Sequence, residues 1–191
     1  PLLRNLPYKM TAQDVKNRVM EHLAKMPYAL QQNQFNLFDS HDVTRLHNYP
    51  WVHPEEYRGA VIFQFLLPGA ASIYYGDEAA IGGTIDTTEG CRYPMPWSRD
   101  FTDCDAYRLN RTLAHCKAKY EALRSGGMKF LYADDGVVAM ARFLGEQVLV
   151  GVISVNDTDV SFRLPLGAVG ASAPVGREDL LGTAVEYTAG E

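Results

Sequence analysis

Nothing in this chain is apolar for long enough to cross a bilayer as a helix. Its most apolar span, residues 60–75, is interrupted by Gln64, Pro68 and Gly69, whereas a helical crossing needs about 20 consecutive apolar residues. Basic residues are short too. There are 18 Lys and Arg against 23 Asp and Glu, a net charge of −5. That leaves no electrostatic footprint for nucleic acid or an anionic membrane, and it suits a neutral substrate. Cysteine is scarce: Cys91, Cys104 and Cys116 form no CxxC pair, so neither a zinc site nor a redox motif is expected. An odd count without a framework fits a reducing, cytoplasmic compartment. Tandem repeats and low-complexity tracts are missing. The opening residues, Pro1-Leu2-Leu3-Arg4, lack an initiator methionine and the charged-then-apolar pattern of a signal peptide, and the expectation is a cut into a longer protein.

What is present is a 191-residue chain, 47% hydrophobic and 21% charged, enough for one large or two small globular domains. It is organised around Asn36-Leu37-Phe38-Asp39-Ser40-His41-Asp42-Val43-Thr44-Arg45. Residues 35–38 form a short bulky apolar run that reads as a buried strand. The run stops in two carboxylates, a histidine and an arginine. Titratable groups held at the rim of a core can have their geometry and pKa values set by it. On these residues alone, the pattern also fits a strand followed by a polar, Asx-stabilised loop.

Around this stretch the elements alternate. Thr11 with Asp14 announces a helix whose stripe is Val15, Val19, Met20, Leu23 and Met26, ended by Pro27. Pro54, followed by Glu55 and Glu56, starts a second helix that runs to about Leu67 and has little polar face. Residues 71–75 read as another buried strand, ending in Gly76-Asp77-Glu78. A long Gly-, Thr- and Pro-rich loop covers residues 79–102, and loops of that length are usually functional. Residues 103–123 read as one helix, with Tyr107, Leu109, Leu113, Cys116, Tyr120 and Leu123 as its packing set. Helix, strand, helix, strand, helix is the order of parallel α/β architecture, and two strands alone cannot make a covered parallel sheet.

From Met128 the period changes to two. Strands are expected at 129–133, 137–144, 147–155 and 160–164, joined by turns at Asp135-Gly136, Gly145-Glu146 and Asn156-Asp157, which makes a small antiparallel β domain. One more strand is expected within 179–187. The division is into residues 1–126, α/β, and residues 127–191, all-β.

Three stretches, in order, resemble the α-amylase superfamily of glycoside hydrolases. Phe38-Asp39-Ser40-His41-Asp42 is similar to the family's fourth short sequence region, at the end of barrel strand seven. Leu67-Pro68-Gly69 through Ile73-Tyr74-Tyr75-Gly76-Asp77-Glu78 resembles its strand-eight segment. Gly82-Gly83 with Cys91-Arg92-Tyr93-Pro94-Met95-Pro96-Trp97 resembles a loop of the neopullulanase, cyclomaltodextrinase and maltogenic amylase branch. That branch usually carries Gly-Gly-x-Asp-Pro-x-Cys-Arg-Arg. Here Thr87 replaces the proline, two more residues precede Cys91, and Tyr93 replaces the second basic residue.

The resemblance implies the last quarter of a (β/α)8 barrel, about strands seven and eight with their helices, followed by a C-terminal antiparallel β-sandwich. It implies retaining cleavage of α-1,4 or α-1,6 glucosidic bonds in maltooligosaccharides, cyclodextrins, pullulan or starch. Asp42 matches the carboxylate that stabilises the transition state, and His41 the histidine on the same sugar. His41 by itself could equally be a satisfied core histidine. Arg92 matches the arginine that reaches the next sugar, with Asp86 or Glu89 as its partner. Arg45 is counted with the substrate-binding residues, either paired with a carboxylate of the site or bracing the loop.

Asp39 is expected to satisfy backbone amides. Tyr74, Tyr75, Asp77 and Glu78 are read as packing and turn chemistry, and Trp97 as a loop anchor rather than a sugar platform. The family's nucleophile and general acid lie on earlier strands, so the chain alone is expected to be inactive and to associate with itself. No cofactor is called for and no EF-hand-type loop is present; calcium in a complete enzyme is left open. The other reading is a non-catalytic carbohydrate-binding or assembly module.

Overall fold

The computed structural model describes residues 10–171 and 179–181. Helix α1 (Ala12–Ala24) starts where Thr11 and Asp14 cap one another: the Thr11 N–H donates to Asp14 Oδ2 at 2.8 Å, and the Asp14 N–H to Thr11 Oγ1 at 3.1 Å. Its apolar stripe is only partly seated. Leu23 is buried and Val15 and Val19 pack on the core, but Met20 stays exposed. A single turn, α2 (Tyr28–Gln31), follows Pro27.

The two expected strands are much shorter than their apolar runs. β1 (Phe35–Asn36) pairs in parallel with β2 (Ala70–Ala71). They are also not buried: Phe35 is 69% exposed, and Leu37, Phe38, Ile73 and Tyr75 are exposed as well. Each strand has one neighbour among the described residues, so the bulky side chains beyond the ladder are left partly open to water. The pair is fixed from behind by α3 (Pro54–Leu66), where the buried Gln64 donates to Asn36 O at 2.8 Å and to Ser72 O at 2.7 Å. Pro54 opens α3, and the residues from Gly59 to Leu66 are all buried, as its nearly unbroken apolar sequence requires. Gly69, with φ +97°, makes the turn into β2; a Cβ there would meet Gln34 O at 2.4 Å.

The helix expected over 103–123 is two. α4 (Asp105–Lys119) stops at Tyr120, whose φ and ψ of −100° and 117° are extended, and α5 (Glu121–Ser125) resumes. Arg124 makes this break tolerable by donating to the freed carbonyls of Lys117, at 3.1 Å, and Ala118.

β3 (Gly127–Asp134), β4 (Val137–Leu144) and β5 (Gln147–Ser154) form an antiparallel sheet in the order β3-β4-β5. The Asp135-Gly136 turn has φ +46° and +72°, the primed geometry that tight hairpins favour. Phe130 points to one face and Leu131 to the other, where it packs with Ala141 and Val169, and the register shifts by a bulge between Phe130 and Tyr132. The strand expected at 160–164 does not form. Phe162 stacks on Tyr132 at 4.9 Å, and a short 3-10 turn (Leu166–Val169) covers that face instead. Of the strand expected within 179–187, residues 182–187 lie outside the described residues.

One core joins the helices to the sheet: Ile62, Phe65 and Leu66 of α3 and Leu109, Leu113 and Cys116 of α4 meet Phe130, Met140 and Ile153. Contact is close at Gly151, where a Cβ would lie 2.2 Å from Leu66 Cδ1. Arg142 on β4 is fully buried and donates to four carbonyls, those of Leu66, Leu67, Gly126 and Gly127, at 2.8–3.3 Å. It thereby caps the C-terminal ends of α3 and α5 at once. Among the described residues no helix is long and apolar enough to cross a membrane.

Candidate functional site

The polar cluster after β1 divides into an exposed layer and a buried one. In the exposed layer His41 Nε2 lies 3.1 Å from Asp42 Oδ2, and Arg92 Nη2 donates to Asp42 Oδ1 at 3.2 Å. Three of the four residues singled out in the sequence therefore meet. Their side chains are 57% (His41), 71% (Asp42) and 55% (Arg92) exposed, which removes the core-histidine alternative for His41. Arg92 reaches Asp42 itself, whereas Glu89 accepts from the Tyr93 hydroxyl at 3.3 Å. Exposed ion pairs of this kind add roughly 0–1 kcal/mol to stability. The cluster contributes little to the fold and is free to exchange its contacts for those of a ligand.

Arg45 is not part of that cluster. It is fully buried and points inward. Nη1 donates to Asp77 Oδ1 at 2.5 Å, and Nη2 to Tyr75 O at 2.8 Å and Cys91 O at 3.4 Å; the guanidinium lies 4.6 Å from the Tyr74 ring centre. Of the two roles the sequence left open, the geometry is that of loop bracing. Asp39, also buried, accepts the Leu46 N–H at 2.8 Å, a structural use of the carboxylate.

One guanidinium thus faces two buried carboxylates. Burial, with Asp39 beside it, pushes Asp77 up to about 7 despite Arg45, and burial raises Asp39 as well. One cation balances one carboxylate, so the second keeps its proton up to about neutral pH. His47, at the edge of this group, is lowered by burial. Asp39, His47 and Asp77 each bring one ligand atom within 4.8 Å of the others, the spacing of a metal triad. Arg45 already occupies the electrostatic place of the metal, so the set works as an ion-pair network.

The segment carrying Arg92 is held from several sides. The Tyr74 hydroxyl donates to Cys91 O at 3.2 Å and the Tyr75 hydroxyl to Tyr93 O at 2.9 Å. The Cys91 thiol donates to Val43 O at 2.8 Å. The sequence reads Tyr74, Tyr75 and Asp77 as packing and turn chemistry; the Asp77 N–H does close a turn on Tyr74 O at 3.1 Å, and their side-chain polar atoms also fix both neighbours of Arg92 or hold Arg45. The visible signal was a polar terminus, Gly76-Asp77-Glu78, on an apolar run. Trp97 does not anchor the loop. It is 78% exposed, in tilted contact with Phe101 at 6.0 Å, while Arg99 pins the loop by donating to Ala79 O at 3.0 Å.

The chain matches no protein-family model. It is similar to a cyclomaltodextrinase of Geobacillus thermopakistaniensis, 29% identical over 163 residues, or 84% of this chain and 27% of that protein. It is similar to neopullulanase 2 of Thermoactinomyces vulgaris, 31% identical over 137 residues, or 70% of this chain and 23% of that protein. Among solved structures, the acarbose-soaked debranching enzyme of Nostoc punctiforme superposes with a TM-score of 0.68 at 28% identity, covering 80% of this chain and 32% of that one. The chain therefore spans about a quarter of the length of these curated relatives.

Proposed function

Because the chain belongs to the α-amylase superfamily of glycoside hydrolases, in its neopullulanase, cyclomaltodextrinase and maltogenic amylase branch, we propose that it supplies one edge of an α-glucan-cleaving site. In this reading β1 and β2 are strands seven and eight of a (β/α)8 barrel, and residues 127–191 are the β domain that follows. The reaction is retaining hydrolysis of α-1,4 or α-1,6 glucosidic bonds. Asp42 binds hydroxyls of the distorted sugar and stabilises the oxocarbenium-like transition state. His41 binds the same sugar, and Arg92 the next one. Arg45 acts from beneath.

The observation that carries the reading is the meeting of His41 and Arg92 on Asp42, at 3.1 and 3.2 Å, at the polar end of β1. This end of a barrel strand is where such folds place their chemistry. Two magnitudes limit what the chain does alone. A retaining mechanism needs, besides the stabilising Asp42, two carboxylates about 5 Å apart, one as nucleophile and one as acid, and the groups touching Asp42 are a histidine and an arginine. A charge pair at 4 Å is worth about 1 kcal/mol in water against about 4 kcal/mol near a protein surface, so a carboxylate this exposed needs walls around it before it can favour a cationic transition state. The chain by itself binds sugar weakly and does not hydrolyse it.

Calorimetric titration with acarbose, alongside a reducing-sugar assay on maltooligosaccharides, tests this. The expected result is weak binding, reduced at least about tenfold by Asp42→Asn and by His41→Ala, with no sugar released. Affinity unchanged in both variants would overturn the site. Sugar release would overturn the claim of inactivity. Tight binding untouched by Asp42→Asn would favour a binding module built elsewhere on the chain.

A further inference from the structure

Two segments far apart in sequence are clasped together at the site, and the clasp has an inner and an outer side. On the outside Arg92 meets Asp42. One residue along each segment, the Cys91 thiol donates to Val43 O at 2.8 Å. The result is a closed ring: Asp42 and Val43 on one loop segment, Cys91 and Arg92 on the other, joined at both ends. On the inside Arg45, two residues beyond Val43, turns back beneath the ring and donates to the Cys91 carbonyl. It also bonds the Tyr75 carbonyl and Asp77. Its own N–H donates to Gly83 O at 3.1 Å, which holds the start of the loop that ends in Arg92. The Arg45 side-chain donors go to groups 30 to 46 positions away in the chain, and the side chain is wholly shielded from water. A planar fork with five donors can hold three acceptors at set angles; an ammonium cannot.

We infer that Arg45 is a positioning residue for Arg92: from the buried side, through the Cys91 carbonyl, it sets where the Arg92 guanidinium stands over Asp42, and so which hydroxyls of an α-glucan the pair accepts. The part concerning sugar rests on the reading proposed above; the part concerning Arg92 rests on geometry alone. The pairing of Arg45 with Asp77 is the fixed end of this lever, and exchange of the Asp77 carboxyl for an amide loosens it without breaking it.

The experiment combines side-chain NMR with a double-mutant cycle on the full chain. The Arg92 side-chain N–H signals are assigned by their loss in Arg92→Ala and followed in Arg45→Lys and in the milder Asp77→Asn. The expected result is a shift of those signals toward free arginine, larger in Arg45→Lys. Acarbose affinity is expected to fall about tenfold in Arg45→Lys and about threefold in Asp77→Asn, with both losses disappearing in an Arg92→Ala background. If Arg45→Lys fails to fold, Asp77→Asn carries the same test. Unmoved Arg92 signals in a folded variant would overturn the proposal whatever the sugar does. Equal affinity losses with and without Arg92 would also overturn it, because a merely structural role is additive. If the wild-type chain does not bind acarbose, the functional reading fails, while the Arg92 signals still decide the positioning.

Discussion

Asp42 and Arg45 stand three residues apart in one loop, yet their ion pairs are opposites. The Asp42 carboxylate faces water and meets Arg92 at 3.2 Å; the Arg45 guanidinium sees no water and meets Asp77 at 2.5 Å. An exposed pair is screened, costs side-chain entropy and gives back roughly 0–1 kcal/mol. A buried pair has already lost its hydration and is costly to break. The exposed pair is the one that a ligand can enter, and the buried pair is the one that fixes where it stands. A binding edge needs both: groups loose enough to change partners, mounted on groups that cannot.

The largest effect should come from breaking the buried side. Arg45→Met takes a donor from Asp77, from the Tyr75 carbonyl and from the Cys91 carbonyl, which keeps the Tyr74 hydroxyl, and should cost about 3–5 kcal/mol in denaturant unfolding. A cost below about 1 kcal/mol would mean that the buried pair is no more structural than the exposed one.

A smaller effect should follow from pH. Asp77 is raised from 3.8 to about 7 in the fold, so between those values the folded chain holds a proton that the unfolded chain has released. Its contribution is fully present below about pH 4 and is lost as the pH rises through about 7. Asp39 is shifted in the same direction. His47 is lowered, so the folded chain resists charging it and its effect runs the other way, against stability as pH falls below 6.5. Wild-type stability measured from pH 5 to pH 8 should therefore fall more steeply than that of Asp77→Asn, by on the order of 1–2 kcal/mol, since Asp39 shares the proton. Parallel curves would contradict the shared-proton account.

The smallest effect should come from the exposed side. Arg92→Ala and Asp42→Asn should each change unfolding free energy by no more than about 1 kcal/mol while weakening acarbose binding. A larger stability loss with binding intact would reverse the roles of the two layers.

The sequence made one layer much more readable than the other. His41, Asp42 and Arg92 could be picked out because they sit in contiguous motifs, where type and order carry the signal. The layer around the buried Arg45 is assembled from Tyr74, the Tyr75 carbonyl, Asp77 and Cys91 across separations of about 30 to 46 positions, and no periodicity records such distances. Helix starts at Thr11 and Pro54 and hairpins at Asp135-Gly136 and Gly145-Glu146 were legible because each rests on local backbone chemistry. The break at Tyr120 was not, because it depends on Arg124 folding back onto carbonyls of the previous turn. Nor was the absence of a strand at 160–164, where alternation is present but Phe162 stacks on Tyr132 without ladder hydrogen bonds. The exposure of Phe35 follows from how few strands are paired beside it, which an apolar run cannot reveal.

A crystal of the chain soaked with acarbose tests the central claim most directly. The account predicts a sugar ring at the end of β1, with hydroxyls within hydrogen-bond distance of Asp42 and His41, Arg92 turned to the neighbouring ring, and Arg45 unmoved beneath. Sugar bound elsewhere, for instance on the exposed face of Trp97, with Arg92 still closed on an empty Asp42, would contradict it.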